Sequence, residues 1–499
     1  MAYHYIGGMR DQAFLLPVSM RDWLAEGHLA WFVIDVVEHI DTAALHVRHP
    51  NDGPGRPAYD PDMMLVLLLY AYMMGQRSSR RIEAACRTDA AHRVICGDVV
   101  PDHATIARFL IDHEEAIEGI FVEVLRLCAA AGLVTVGSIA IDGTKLGSDA
   151  ALDRNRSADW IREQVAAILS DARQVDEAED HQPGLLAADE LPAELSTQPG
   201  RLARLQAALA VIEAQDAAER AEAEQRAAKA RAEAAAGRKL RGRKPKDPQA
   251  ALARAEADET AVRVKATAKA AARHTDDADV AAAVEADPAV KTAAAATAAA
   301  RDAAKAATPA TRANITDPQS RIMKTADGWV QGYNVQAAVN EAQIILAGLV
   351  SQDANDVGLY QPMVTLTRDM LERAGVTDPI GLVLADAGYW SQDNATCEGP
   401  DRLIATTKDW KQRQAARELG TTGGDPPEGA TPAEAMEHRL RTEDGAAAYA
   451  TRSHTVEPVF AIKANHDYRR FRRRGLAAAR SEWTLMATAH NLGKLHRAS

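Results

Sequence analysis

The sequence predicts a mixed α/β core that is preceded by an all-helical segment and split by a long helical insertion. Three observations carry this. Apolar, β-branched runs lead into an Asp beside small residues at "LVTVGSIAIDGTKL" (133–146) and "IGLVLADAGYW" (380–390), as buried strands do. Between them, 155–310 is dominated by Ala, Glu, Arg and Lys. That composition favours helix yet offers few large side chains to pack. Ahead of both, 1–132 carries apolar residues at helical spacing.

The expected order is a helical domain at 1–132, a first core piece at 133–154, the insertion at 155–310 and a second core piece at 311–499. In the first, "MRDWLAEGHLAWFVIDVVEHI" reads as a helix, and "GPGRPAYDP" (53–61) as a turn-rich break. "DPDMMLVLLLYAYMMG" then supplies a core helix closed by Gly75. At least two more helices follow in 78–132, the later region with Asp102 as N-cap after Pro101. The first strand is expected to end at Asp142. The insertion reads as a helical hairpin or coiled-coil arm interrupted by the basic turn "GRKLRGRKPKDP" (237–248). Beyond it, 328–352 suggests two or three strands turning at Asn340-Glu341, 355–375 a helix, 380–390 a strand ending at Asp386, and 401–408 a short strand. Helices follow the loop at 419–433. Strands, helix, strand and helix in this order fit an α/β core.

At 499 residues the chain has room for a substantial core, and its 26% charged and 47% apolar residues are ordinary for a soluble protein. A net charge of -12 argues against attraction of the whole surface to nucleic acid. The charge is uneven, however. From Lys463 to Ser499, nine Lys/Arg face only Asp467 and Glu482, a net +7. The four cysteines form no C-x-x-C pair and read as reduced structural thiols. The opening "MAYHYIGGMRDQAFLLP" is unlike a signal peptide, and "MMLVLLLYAYMM" (63–74) is too short to span a bilayer. The expectation is a cytoplasmic protein with no membrane partner.

Asp142 and Asp386 each follow an apolar strand, where a carboxylate can bind a hard cation such as Mg²⁺. The plainer reading is that each caps a turn. An acid within the basic C-terminal region would complete a set, and both Glu457 and Glu482 qualify. About three acids converging from separate segments could hold two ions for phosphodiester cleavage.

"SIAIDGTKL", "GYNVQAAV", "SQDANDVGLY", "LADAGYWSQDN" and "YATRSHTVEPVFAIK" together resemble the DDE transposases of bacterial insertion sequences, in the branch with a Tyr…Arg…Glu…Lys signature. "PGRPAYDPDMMLVLLLYAYMMGQRSSRRIEAACRTDAAHRVICG" and "PDHATIARF" resemble that family's opening region. The resemblance implies an RNase H-like catalytic core, two Mg²⁺ (or Mn²⁺) ions, and double-stranded DNA as substrate, both terminal inverted repeats and target. It also implies strand cleavage followed by strand transfer, and a homodimer on DNA that handles two element ends. Asp142, Asp386 and Glu457 take the catalytic and metal-binding positions, and the signature falls on Tyr449, Arg452, Glu457 and Lys463.

The family's Glu and Lys stand seven apart. Here they are six apart, which on a regular helix turns Lys463 away by roughly 120°. Glu482 reads as a surface or ion-paired residue near Arg480. Arg469, Arg470, Arg472, Arg473 and Arg474 read as DNA-backbone contacts, with Tyr449, Arg452 and Lys463 also assigned to DNA. Arg77, Arg80 and Arg81 suggest recognition of the element's ends, and "RKLRGRKPK" a minor-groove contact or an exposed linker turn. His454 and His490 are given no catalytic role. The competing functions are a metal-dependent nuclease of the same fold and a catalytically inactive, transposase-derived DNA-binding protein.

Overall fold

A computed structural model describes residues 19–47, 58–179, 198–235, 248–273, 276–306, 311–326, 328–408 and 423–499, with a few positions in 411–420. The N-terminal stretch 1–17, most of the turn at 53–61 and all but the last residue of the basic turn at 237–248 lie outside the described residues. The chain forms two compact units, Met1–Asp153 with Gln319–Ser499, and Arg154–Pro318.

The first unit opens with helices. The segment expected as one helix over 20–40 is a 3-10 turn, Met20–Trp23, followed by α1, Leu29–His39, because Gly27 and the His28 N-cap restart it. Then come α2 (Ala43–His46), α3 (Pro61–Met73), α4 (Ser79–Thr88), α5 (Ala90–Ile95), α6 (His103–Asp112) and α7 (Ala116–Ala130). Asp102 caps α6 as expected, its Oδ1 accepting from the Thr105 amide at 2.9 Å. The apolar α3 has Pro61 in its first turn and buries Leu65, Leu67, Leu68 and Leu69. Each such leucine contributes roughly 1.5–3 kcal/mol of burial.

Strand β1 runs Ser138–Gly147. It does not stop at Asp142 as expected. Its second half keeps pairing with a distant strand, so Thr144, Lys145 and Leu146 stay in the sheet.

The second unit starts with β2 (Asn155–Ser157) and continues through α8 (Ala158–Glu179), α9 (Gln198–Ala235), α10 (Pro248–Ala271), α11 (Asp277–Ala286) and α12 (Pro288–Ala306). It closes with β3 (Arg312–Asn314), which pairs antiparallel with β2. Ile161, Leu205, Ala208 and Ile212 form a small core beside Ala313.

Back in the first unit, β4 (Arg321–Thr325), β5 (Gly328–Asn340) and β6 (Ile345–Ser351) lead to α13 (Tyr360–Arg373) and β7 (Leu382–Ala385). Then follow α14 (Gln392–Thr396), β8 (Asp401–Ile404), α15 (Pro432–Arg441), α16 (Glu443–Phe460), α17 (Ile462–Asn465) and α18 (Leu476–Ala498). The sheet is mixed. β1 is central, antiparallel to β5 on one flank and parallel to β7 on the other, while β8 runs parallel to β7. β6 and β4 both pair antiparallel with β5.

Helix α18 joins the opening helices to the sheet, packing on α3, α7 and β6. Trp483 is fully buried within it, and its indole Nε1 donates to the Gln336 carbonyl at 3.2 Å. Among the described residues no helix is long and apolar enough to cross a membrane.

Candidate active site

The parallel pairing of β1 with β7 ends at Ile141 and Ala385. Asp142 and Asp386 are the next residues on their respective strands, so the sheet brings the two acids together. Asp142 Oδ1 accepts from the Gly143 amide at 2.7 Å, and its Oδ2 pairs with Arg452 Nη1 at 3.1 Å. Burial raises the Asp142 carboxyl to about 6, and repulsion from Asp386 adds to this against the pull of Arg452. One Asp386 oxygen accepts from the Gly388 amide at 2.9 Å and so caps the turn Ala387–Tyr389. The plain turn-capping role therefore accounts for one oxygen of Asp386, whereas Asp142 lies inside β1 and caps no turn.

Helix α16 lies over β1, β5 and β7. Its Arg452, Thr455, Val456 and Val459 are buried, and Arg452 is the residue that reaches Asp142. Tyr449, one turn earlier, places its hydroxyl 3.4 Å from the carbonyl of Ala385, the residue before Asp386. Glu457 is exposed. At about 100° per residue it stands roughly 140° around the helix from Arg452. Among the described residues the three proposed acids do not close within 4.8 Å of one another; the group that does is His46, Asp60 and Asp62 near the start of α3.

Pro458 sits inside α16 and cannot donate to the His454 carbonyl, which instead accepts from Gln343 Nε2 at 2.9 Å. The helix stops at Phe460 and restarts after Ala461 as the single turn α17. That break corrects the expectation for Lys463. Its Nζ donates to Thr144 Oγ1 at 2.9 Å, and Thr144 shares the face of β1 that carries Asp142.

The arginine run 469–474 is a loop along the end of β1, held by Gly147 bonding to the Arg469 carbonyl at 3.0 Å and the Phe471 amide at 2.8 Å. Arg469, Arg470 and Arg472 are exposed. Arg473 is half-buried and paired with Glu114, and Arg474 pairs with Asp149 at 2.8 Å. Glu482 is neither at the surface nor paired with Arg480. It is buried against Arg77 at 3.0 Å and accepts from the Arg472 amide at 2.9 Å. Arg77, read from sequence as a DNA contact, is buried. It also donates to the carbonyls of Asp467 and Arg470 and lies 4.2 Å over the Tyr468 ring.

Sequence reasoning missed a second polar group at the same end of the sheet. Asp356 Oδ1 accepts from Lys145 Nζ at 2.9 Å, Asn334 Nδ2 at 2.7 Å and Gln336 Nε2 at 3.0 Å. Gln336 Oε1 accepts from the buried Tyr389 hydroxyl. Burial pushes that phenol well up, reinforced by the nearby charges of Asp142, Asp356 and Asp386. A Cβ on Gly388 would lie 3.0 Å from Asp386 Oδ1 and 3.1 Å from Asp356 Oδ2, so the turn leaves room between two carboxylates. The signal was present in "SQDANDVGLY", but nothing local shows that its second Asp folds back onto β1 and β5.

Two family models match the chain. One, described as Transposase domain (DUF772), matches residues 18–111, and the other, described as Transposase DDE domain, matches 426–496. Both matches support a DDE transposase of the insertion-sequence type. The first match covers α1 to α6. The second covers α15 to the end region of α18, including Tyr449, Arg452, Glu457 and Lys463. Asp142 and Asp386 lie in the stretch that neither model matches. No curated protein and no solved structure matches the chain. The matched domains indicate a DNA transposase, and that family of DNA-cleaving enzymes generally uses divalent metal ions. The residues fit such an ion in kind: two neighbouring, partly desolvated carboxylates offer hard oxygen ligands.

Proposed function

We propose that this transposase cleaves the ends of an insertion sequence and joins them to target DNA, with Asp142, Asp386 and Glu457 as its catalytic acids. The observation that carries the reading is the placing of Asp142 and Asp386 side by side beneath a helix bearing Tyr449, Arg452 and Glu457. A sheet with β1 central, antiparallel on one flank and parallel on the other, supports an RNase H-like core. Two Mg²⁺ or Mn²⁺ ions held by these acids would activate water and stabilise the leaving 3′ oxygen.

Arg452 holds the Asp142 carboxylate in a fixed orientation and offsets its repulsion from Asp386. Tyr449 packs where β7 delivers Asp386. Lys463, on the Asp142 face of β1, is placed to meet a phosphate, and the exposed Arg469, Arg470 and Arg472 continue that positive surface along the backbone. Arg473 and Arg474 hold the loop against Glu114 and Asp149. Two element ends call for two copies of the chain acting together on DNA.

The test is nicking and joining of a duplex that carries the inverted repeats flanking the gene, with Mg²⁺ or Mn²⁺. Glu457→Gln abolishes cleavage, whereas Glu482→Gln, assayed per folded molecule, keeps most of it. The reverse result overturns the assignment. Joined product separates a transposase from a plain nuclease. The short Glu457–Lys463 spacing was the feature favouring an inactive DNA-binding derivative. Lys463 on Thr144 weighs against that alternative, and binding without nicking would favour it.

A further inference from the structure

A groove of about 410 Å³ in the Arg154–Pro318 unit carries chemistry that the catalytic reading leaves unused. Arg154, Arg156, Trp160, Arg201, Arg204 and Thr316 line it, and no Asp or Glu is among its lining residues. Three segments build it. Arg154 and Arg156 come from the start of the β2–β3 ribbon, whose ends are tied by the Ile315 amide bonding to the Arg154 carbonyl at 3.1 Å. Trp160 comes from the first turn of α8. Arg201 and Arg204 stand three apart, on one face of α9.

The arginines are partly fixed in place. The Arg156 guanidinium lies 5.2 Å over the Trp160 ring. Arg201 Nη2 donates to Gln164 Oε1 at 3.3 Å, and Arg204 Nε to the Gly200 carbonyl at 3.4 Å. These two acceptors, an amide oxygen and a backbone carbonyl, are neutral and take no charge from the guanidinium that donates to them. The unit's own core residues Leu205 and Ile161 lie beneath, so the groove rests on packed structure.

Four guanidiniums around one groove, in a chain of net charge -12, select an anion. The groove is larger than a single phosphate needs, and its arginines come from two segments far apart in sequence rather than converging from one loop. We propose that it is a second DNA-contact site, in the insertion, which takes the phosphodiester backbone of a duplex. It goes beyond the proposed catalysis, since neither the acids nor the C-terminal arginines contribute to it.

The experiment measures binding of the full-length protein to a fluorescein-labelled 30-bp duplex by anisotropy, across a salt series. Each phosphate neutralised contributes about 0.9 to the slope of log affinity against log salt. The triple variant Arg154→Gln/Arg201→Gln/Arg204→Gln is expected to lower that slope by about 2–3 and to weaken binding at least roughly tenfold near 0.1 M salt. The matching triple Lys variant keeps most of the slope, which separates lost charge from lost structure. Wild-type binding with an unchanged slope in the Gln variant overturns the groove alone. No duplex binding by the wild type overturns the groove and the transposase reading together. A Lys variant as impaired as the Gln variant also overturns the proposal, because the effect would then be on folding.

Discussion

Arg77 and Glu482 show how far a single side chain's role depends on its partner. Their side chains are 3% and 0% exposed, and the carboxylate accepts from both the guanidinium and the Arg472 amide. Burial pushes the Glu482 carboxyl up, and these bonds pull against it. Removing one member leaves the other charged and dry, so Arg77→Met or Glu482→Gln alone is expected to cost about 3–5 kcal/mol. The double change Arg77→Met/Glu482→Gln removes both charges at once and should cost less than the sum of its parts by at least about 1 kcal/mol. Urea unfolding of the four proteins checks this, and strict additivity would show that the two charges do not act as a pair. In sequence Glu482 was ambiguous because its partner lies 405 residues away; nothing within one helical turn distinguishes it from a solvated acid. Glu457 is the opposite case. The signature around it was legible, yet its exposed position off the Arg452 face could be learned only from the structure.

Among the elements, strands and helices were read where the pattern is local and periodic. Both apolar strands, the strand pair around Asn340 and the helix after Asp356 are present, since β-branched runs and 3.6-residue spacing need no distant partner to announce themselves. β1 was read too short because Thr144, Lys145 and Gly147 look like turn residues, and only β5, nearly two hundred positions on, keeps them extended. The three-residue strands β2 and β3 were missed because such short pieces carry no periodicity. The seating of α18 on β6 gives the element-scale prediction. A Cβ at Gly348 would lie 2.4 Å from Trp483 Nε1 and 2.9 Å from its Cδ1, and this ring is rigid and fully buried. Gly348→Ala is therefore expected to destabilise by about 1–3 kcal/mol through overpacking. Gly358→Ala, where nothing lies within 4 Å, serves as the control. Differential scanning fluorimetry should show a lower midpoint for the first alone; equal midpoints would mean that Trp483 can move aside at little cost.

For the molecule as a whole, composition changes abruptly at both borders of the Ala-rich stretch, and the chain from Arg154 to Pro318 forms a compact unit. What composition could not convey is how the insertion ends. β2 and β3 pair its first and last residues, Asn155 with Asn314 and Ser157 with Arg312, so the chain leaves and returns at one place. Inserted units with neighbouring ends are the ones a host fold tolerates, because the entropy of closing the loop is met inside the insertion itself. The unit Met1–Asp153 with Gln319–Ser499 holds its own hydrophobic core, which includes Leu67, Ile141, Ala385, Val456 and Trp483 and no residue of the insertion. Replacing residues 154–318 by a short Gly/Ser linker should therefore leave that unit folded. The expected outcome is a cooperative thermal transition with near-ultraviolet circular dichroism from buried Tyr and Trp retained, while far-ultraviolet helical signal falls by the insertion's share. A shortened chain that loses its near-ultraviolet signal would show that the sheet and α18 need the insertion to hold Asp142 beside Asp386.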